Sequence, residues 1–238
     1  MNIPDHVLAT FQLDNDAPVP VGAAWDNGLR FGRIVVSRAN PTAAWSAKLR
    51  YRLSIDGLLV ARPVRSTDGR FVVSGFKANE FAEGAVTSRV DEVMAAAMAF
   101  DRAMVGVATP ALERTDRWAE AENIAWRDVE HASFPGPWQV GHADFFHSCV
   151  FAGSLPPLMT DIVPTSQPRP VGYTAALAMV DGLLSRSVDE AVVQRWAHIS
   201  ALPELALRAL DYREALAPAG DSNMHSEVSR VRTLLVSA

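Results

Sequence analysis

The chain has 238 residues, 49% of them apolar and 21% charged, with a net charge of −5. That length suffices for one large core or two smaller ones, and the acidic balance argues against a nucleic-acid or anionic-membrane partner, both of which need a basic face. A single cysteine, Cys149, excludes an internal disulfide framework. The N-terminus has no basic region leading into an apolar core, and no apolar run approaches the roughly 18–20 residues of a membrane span. The expectation is a soluble cytoplasmic protein.

The first part of the chain, residues 1–84, reads as a small lobe rich in strands. Asp26-Asn27-Gly28 is a strong turn signal. It precedes the β-branched run 29–37, whose internal Gly32 predicts a bend or bulge. Residues 42–55 predict a helix with Trp45, Leu49 and Leu53 on one face. Strand starts follow at 57–61 and 63–64, then a turn at Thr67-Asp68-Gly69 and a further strand over 70–76.

Residues 85–238 read as a helical lobe. Helices are expected over 88–105, 116–130, 171–184, 188–199, 203–216 and 226–236. The helix at 188 carries a capping-box pattern of Ser187 with Glu190. The stretch 138–151 lacks helical periodicity and reads as loop and short strand. Linkers are expected at 79–86 and 133–137. Strands, one helix, more strands and then helices make an α+β chain.

The most informative segment is Gly141-His142-Ala143-Asp144-Phe145-Phe146-His147-Ser148-Cys149-Val150-Phe151. It resembles the catalytic loop of the aminoglycoside and choline phosphotransferases, whose pattern is His-Gly-Asp, four residues, Asn, and an apolar position two further on. His142, Asp144 and Phe151 fit that pattern, Ala143 replaces the Gly, and Cys149 replaces the Asn. Asp161, in Leu158-Met159-Thr160-Asp161-Ile162, resembles the family's second metal-binding aspartate. Asp181, in Val180-Asp181-Gly182-Leu183, resembles its structural aspartate. The phrases Ala61 to Arg70 and Arg195-Trp196-Ala197-His198 are similar to an actinobacterial subgroup with a degenerate nucleotide site. The resemblance implies a two-lobed protein-kinase-like fold, ATP and Mg²⁺ as cofactors, and transfer of phosphate to a hydroxyl. The acceptor would be a small molecule or a peptide Ser/Thr in a biosynthetic pathway.

Phosphoryl transfer rests on positioning and charge neutralisation. By resemblance, Asp144 is the catalytic acceptor of the hydroxyl proton and His142 holds its loop. Asp161 binds the metal, and Cys149 stands at the second metal position with a thiol poorly matched to a hard cation. The nucleotide-binding strand puts Ser37 or Arg38 where the family has lysine, and a one-residue register shift decides which of them faces the site. The helix over 42–55 has no Glu to pair with such a cation. The Gly-rich loop is thin, and residues 21–28 with Gly22 are its nearest candidate.

Simpler roles exist for each of these residues. Asp144 and Asp161 are common turn residues. Cys149 reads as a small buried hydrophobe. His142, Asp144, His147 and Cys149 also have transition-metal composition, and Cys149 with His142 or His147 has nucleophile–base composition. Arg62, Arg65 and Arg70 read as a solvated face or as a phosphate or acidic-peptide site. Two functions follow from the altered site. One is a phosphotransferase, using ATP or another phosphorylated donor. The other is a catalytically dead pseudokinase that binds a ligand in its cleft or a protein partner on a helical face. Separately, the short chain leaves an acceptor site that a protein partner could complete.

Overall fold

The computed structural model describes residues 1–13, 17–129, 134–218 and 220–237. The chain divides into two compact units, Met1–Thr87 with His147–Val163, and Ser88–Phe146 with Pro164–Ala238. Residue 130 of the helix expected over 116–130 and residue 133 of the expected linker lie outside the described residues.

The first unit is built on an antiparallel sheet in the order β1 (Val19–Pro20), β2 (Leu29–Phe31), β3 (Ile34–Arg38), β7 (Phe76–Glu80), β5 (Pro63–Val64), with β6 (Val72–Val73) also paired to β7. The bend expected within 29–37 is a complete reversal. Gly32 takes φ +54, and Phe31 pairs with Ile34 across a two-residue turn. The expected strand over 70–76 likewise splits into the β6–β7 hairpin, turning on Ser74 and Gly75 at φ +49 and +77.

Strand alternation gives the sheet two faces. Val36, Phe76, Ala78, Phe31 and Val73 form a core with Val7 and Phe11, which come from helix α1 (Asp5–Thr10) and its end. Val35 faces the other side, against Trp25 and Ala61. In the β3–β7 register Ser37 pairs with Lys77 and Val35 with Asn79, so Ser37, Lys77 and Asn79 share the face of Val35.

Helix α2 (Ala43–Arg50) is rich in alanine, a strong helix former, and begins after an Asn40 side chain that accepts from the Thr42 N–H and hydroxyl, each at 3.0 Å. It ends five residues before Ile55. Its buried residues are Ala43, Ser46, Ala47 and Arg50, while Trp45 and Leu49 are only half-buried. The apolar stripe expected from spacing is thus not the face that the helix buries. A second sheet joins β4 (Leu59–Val60), parallel to β10 (Leu158–Met159), which pairs antiparallel with β9 (Cys149–Val150). That pairing ties residues 147–163 to the first unit.

In the second unit helix α6 (Tyr173–Leu184), buried from Tyr173 to Leu183, packs against α3 (Val90–Ala103), α8 (Leu202–Leu216) and α9 (Ser222–Ser237), and α8 also packs on α4 (Arg117–Ala125). Asp116 caps α4 by accepting from the N–H groups of Trp118 and Ala119 at 3.1 Å. Asp101 of α3 accepts from the Gly172 N–H at 2.7 Å, at the start of α6. The helix expected over 188–199 is only the single turn α7 (Val192–Arg195). Ser187 does not cap it. Its N–H donates to the Gly182 carbonyl at 2.8 Å after Arg186 turns left-handed, which closes α6 instead. The single-turn helix α5 (Phe145–Ser148) and the two-stranded pairing of β8 (Trp138–Gln139) with β11 (Arg169–Pro170) complete the described elements. Among the described residues no helix is long and apolar enough to cross a membrane.

Gly28 lies where a Cβ would come within 2.7 Å of the Val36 carbonyl oxygen, whereas a Cβ on Gly22 would meet nothing within 4 Å. Gly28→Ala is expected to lose about 1–3 kcal/mol by overpacking. Gly22→Ala should stay within about 0.5 kcal/mol of the unmodified protein. Urea unfolding of the two variants side by side checks this.

Candidate functional site

In the first unit Asp161 is the centre of a buried charge cluster. It is 6% exposed. Its Oδ1 accepts from the Ser46 hydroxyl at 2.5 Å and from the Ile162 N–H at 2.8 Å, and it pairs with Arg50 Nη2 at 3.1 Å. Its Oδ2 pairs with Lys77 Nζ. Ser46 and Arg50 lie four apart on α2, so one helix face presents both.

Arg50 is fully buried, and each of its nitrogens is used. It donates to Ser46 Oγ at 3.2 Å, the Ala61 carbonyl at 2.7 Å, the Thr160 carbonyl at 3.1 Å and Asn79 Oδ1 at 2.9 Å. Lys77, 2% exposed, also pairs with Asp26 Oδ2 at 2.9 Å. Burial works against the Asp161 charge, but Arg50 and Lys77 outweigh it and hold the carboxyl well below the usual carboxylate range. Burial likewise opposes the Lys77 charge, and Asp161 and Asp26 overcome it, so its pKa is raised.

Of the residues expected to hold nucleotide, Ser37 faces this cluster, its hydroxyl 3.5 Å from Asp26 Oδ2. Arg38 does not. It lies on the opposite face, exposed, with its guanidinium 4.5 Å from the Phe76 ring centroid. Gly22 opens the 3-10 turn Ala23–Trp25 between β1 and β2, and its carbonyl accepts from the N–H groups of Trp25 and Asn27. Cys149, expected beside the metal, is fully buried in β9 opposite Met159. Burial pushes its thiol pKa up. This environment suits a small hydrophobe, and a buried neutral thiol is a poor match for Mg²⁺. No group of three or more His, Cys, Asp or Glu among the described residues has metal-binding geometry.

In the second unit the Gly141–Asp144 loop is pinned by side chains. Thr165 Oγ1 accepts from the Gly141 N–H at 2.9 Å, and Thr174 Oγ1 of α6 accepts from the His142 N–H at 3.0 Å. His142 is fully buried, edge-on to Phe100 and Phe145 at 5.7 and 5.3 Å. Its Nδ1 accepts from the Asp144 N–H at 3.1 Å, which requires that nitrogen to be unprotonated. The Ala143 backbone is not left-handed, so its Cβ is accommodated where the family pattern has Gly. Arg213 grips both Asp181 oxygens at 2.6 Å, and its Nη2 lies 3.8 Å from Asp144 Oδ1. Burial opposes the Arg213 charge, but Asp181 and Asp144 overcome it and raise its pKa.

Sequence reasoning missed Lys77, Arg50, Ser46, Asp26 and Arg213. A signal for Lys77 was present: it is one of two lysines in the chain, set between apolar residues in a strand. The arginines at 62, 65 and 70 have structural uses. Arg62 donates to three carbonyls at the end of α2, Arg65 stacks on Tyr51 and Phe71, and Arg70 pairs with Asp68.

The structure aligns with that of an aminoglycoside phosphotransferase from Alicyclobacillus acidocaldarius subsp. acidocaldarius DSM 446, with a TM-score of 0.64 and 16% identity, over 100% of this chain and 95% of that one. The chain has the protein-kinase-like fold. Comparison with protein-family models and with curated protein sequences gives no match. Within this fold the strand order places Ser37 on the strand before α2, and Lys77 directly across from it on the neighbouring strand.

Asp161→Asn leaves two buried cations with one fewer counter-charge and should cost about 3–5 kcal/mol. Because the folded carboxyl is held below its unfolded value, its stabilisation is present above about pH 4 and is lost as pH falls below that. Urea unfolding at pH 7 and pH 3 should therefore show a large gap between the two proteins that narrows in acid.

Proposed function

We propose that this chain is a phosphotransferase that binds ATP with Mg²⁺ through its first unit and passes the terminal phosphoryl group to a hydroxyl. The observation that carries the reading is the Ser37–Lys77 pair. Where the usual strand lysine is absent, a buried lysine on the adjacent strand projects from the same sheet face and reaches Asp161. Burying a lysine is costly unless its charge is used, and here it is held charged beside the aspartate that resembles the metal ligand.

Lys77 would hold phosphate oxygens as a point charge. Asp161 offers the hard oxygen donor that Mg²⁺ prefers, and one or two carboxylates with substrate phosphates commonly suffice for that ion. When bound, the ion neutralises charge on the phosphates. By the resemblance, Asp144 of the second unit is the group that would take the proton of the attacking hydroxyl, whose oxygen bonds to phosphorus as the bond to the leaving nucleoside diphosphate breaks. His142 fixes the Asp144 backbone, and Arg213 fixes its carboxylate. The name of the structural neighbour makes aminoglycosides the first acceptors to try, with Ser/Thr peptides beside them.

A second reading is favoured by one observation. Both Asp161 oxygens are already taken by protein donors, and α2, which has no Glu, contributes Arg50 to them. On this reading the chain is a pseudokinase, whose site is held closed by its own ions and used for binding a ligand or partner.

Calorimetric titration with ATP, with and without Mg²⁺, separates the two readings. On the first, binding is magnesium-dependent. Lys77→Met should weaken it about tenfold or more, as loss of a charge-assisted contact implies. Asp144→Asn should leave binding intact while lowering transfer by about 10²-fold or more. No binding at millimolar ATP would mean that the fold has been repurposed for binding or that a partner must complete the site, and it would remove the first reading as stated.

A further inference from the structure

The buried ammonium of Lys77 meets two carboxylates. Asp161 lies on its inner side, itself only 9% exposed at the side chain. Asp26 lies on the other and is 45% exposed. The loop that carries Asp26 is shaped to deliver it. Trp25 is buried, the 3-10 turn Ala23–Trp25 ends on Asp26, and Asp26 and Asn27 both adopt left-handed backbone at φ +54 and +50. Gly28 then passes tightly under the Val36 carbonyl. Two successive left-handed residues that are not glycine are unfavourable, so the ion pair with Lys77 helps to keep the loop down. Ser37 supplies a hydroxyl 3.5 Å from the same Asp26 oxygen.

An exposed carboxylate held between a buried ammonium and a hydroxyl occupies the kind of place that suits a phosphate oxygen. With Asp26 in position, Arg50 and Lys77 are matched one for one by Asp26 and Asp161, and the cluster offers an incoming anion no surplus positive charge.

We infer that Asp26 is an internal competitor for the Lys77–Ser37 anion site, and that a phosphate-bearing ligand binds only by displacing its carboxylate from Lys77. The inference rests on the reading of Lys77 as the phosphate-binding residue. It goes beyond it by giving the nearest Gly-rich-loop candidate a negative role: the loop sets a threshold that free phosphates fail to cross. Asp161 stays paired with Lys77 and Arg50 when Asp26 leaves, so the buried part of the cluster persists.

The test is calorimetric titration of the full chain with tripolyphosphate, without added metal, and separately with ATP and Mg²⁺. Asp26→Asn removes the competing charge and keeps the shape of the side chain. Thermal unfolding confirms that each variant is folded. Tripolyphosphate should bind Asp26→Asn at least about tenfold more tightly than the unmodified protein, with the gain abolished in Asp26→Asn/Lys77→Met and reduced by added salt. Equal or weaker binding by Asp26→Asn, or a gain that survives loss of Lys77, overturns the inference, as does failure of every variant to bind. The two proposals fail separately. Tight tripolyphosphate binding by Asp26→Asn with no ATP binding by either protein leaves the anion site standing and removes the phosphotransferase reading. ATP binding that depends on Lys77 and is indifferent to Asp26 does the reverse.

Discussion

Asp161 is the constraint on which the first unit depends. A carboxylate buried to this degree survives only if its charge is answered, and three separate stretches of chain answer it: α2 with Ser46 and Arg50, β7 with Lys77, and its own strand end through the Ile162 N–H. Arg50 extends the same demand to Asn79, Ala61 and Thr160. The face of α2 with Ser46 and Arg50, flanked by Ala43 and Ala47, and not its tryptophan and leucine, is therefore what the helix buries. This cluster stands where an apolar core would otherwise sit, between α2 and one face of the sheet. Such clusters add little net stability over apolar packing, but they tolerate no partial loss.

The second unit solves a similar problem around Asp144 by other means. Its loop is held by two threonine hydroxyls and a histidine ring that faces inward, and Arg213 links its carboxylate to Asp181 on the central helix. His142 and Asp181 thus act on Asp144 indirectly, one through the backbone and the other through a cation.

Much of this is legible in the sequence. The α+β order, the long helices α3, α6 and α8 and the turns at Asp26-Asn27-Gly28 and Thr67-Asp68-Gly69 follow from local pattern, because local propensity and burial agree there. The His142–Asp144 spacing and Asp161 were readable as a motif. What escaped depends on partners distant in sequence. Spacing alone groups Trp45, Leu49 and Leu53 on one apolar face of a helix over 42–55, because nothing local announces that Ser46 and Arg50 serve an aspartate more than a hundred residues away. Ser187 and Glu190 look like a helix start, but Ser187 is spent on closing the helix before it. The choice between Ser37 and Arg38 needed a register, which strand pairing supplies and a single strand does not.

The antiparallel register between β3 and β7 has a consequence for how function is stored in a chain. Ser37 and Lys77 are neighbours in space that sit far apart in sequence, and either strand can present a cation to the same point above the sheet. A charge needed above this face could therefore stand on either strand while the fold and the partner aspartate stay in place. A site preserved in this way is invisible to any comparison that asks what stands at a given position. It becomes visible only when the question is which group occupies a given point.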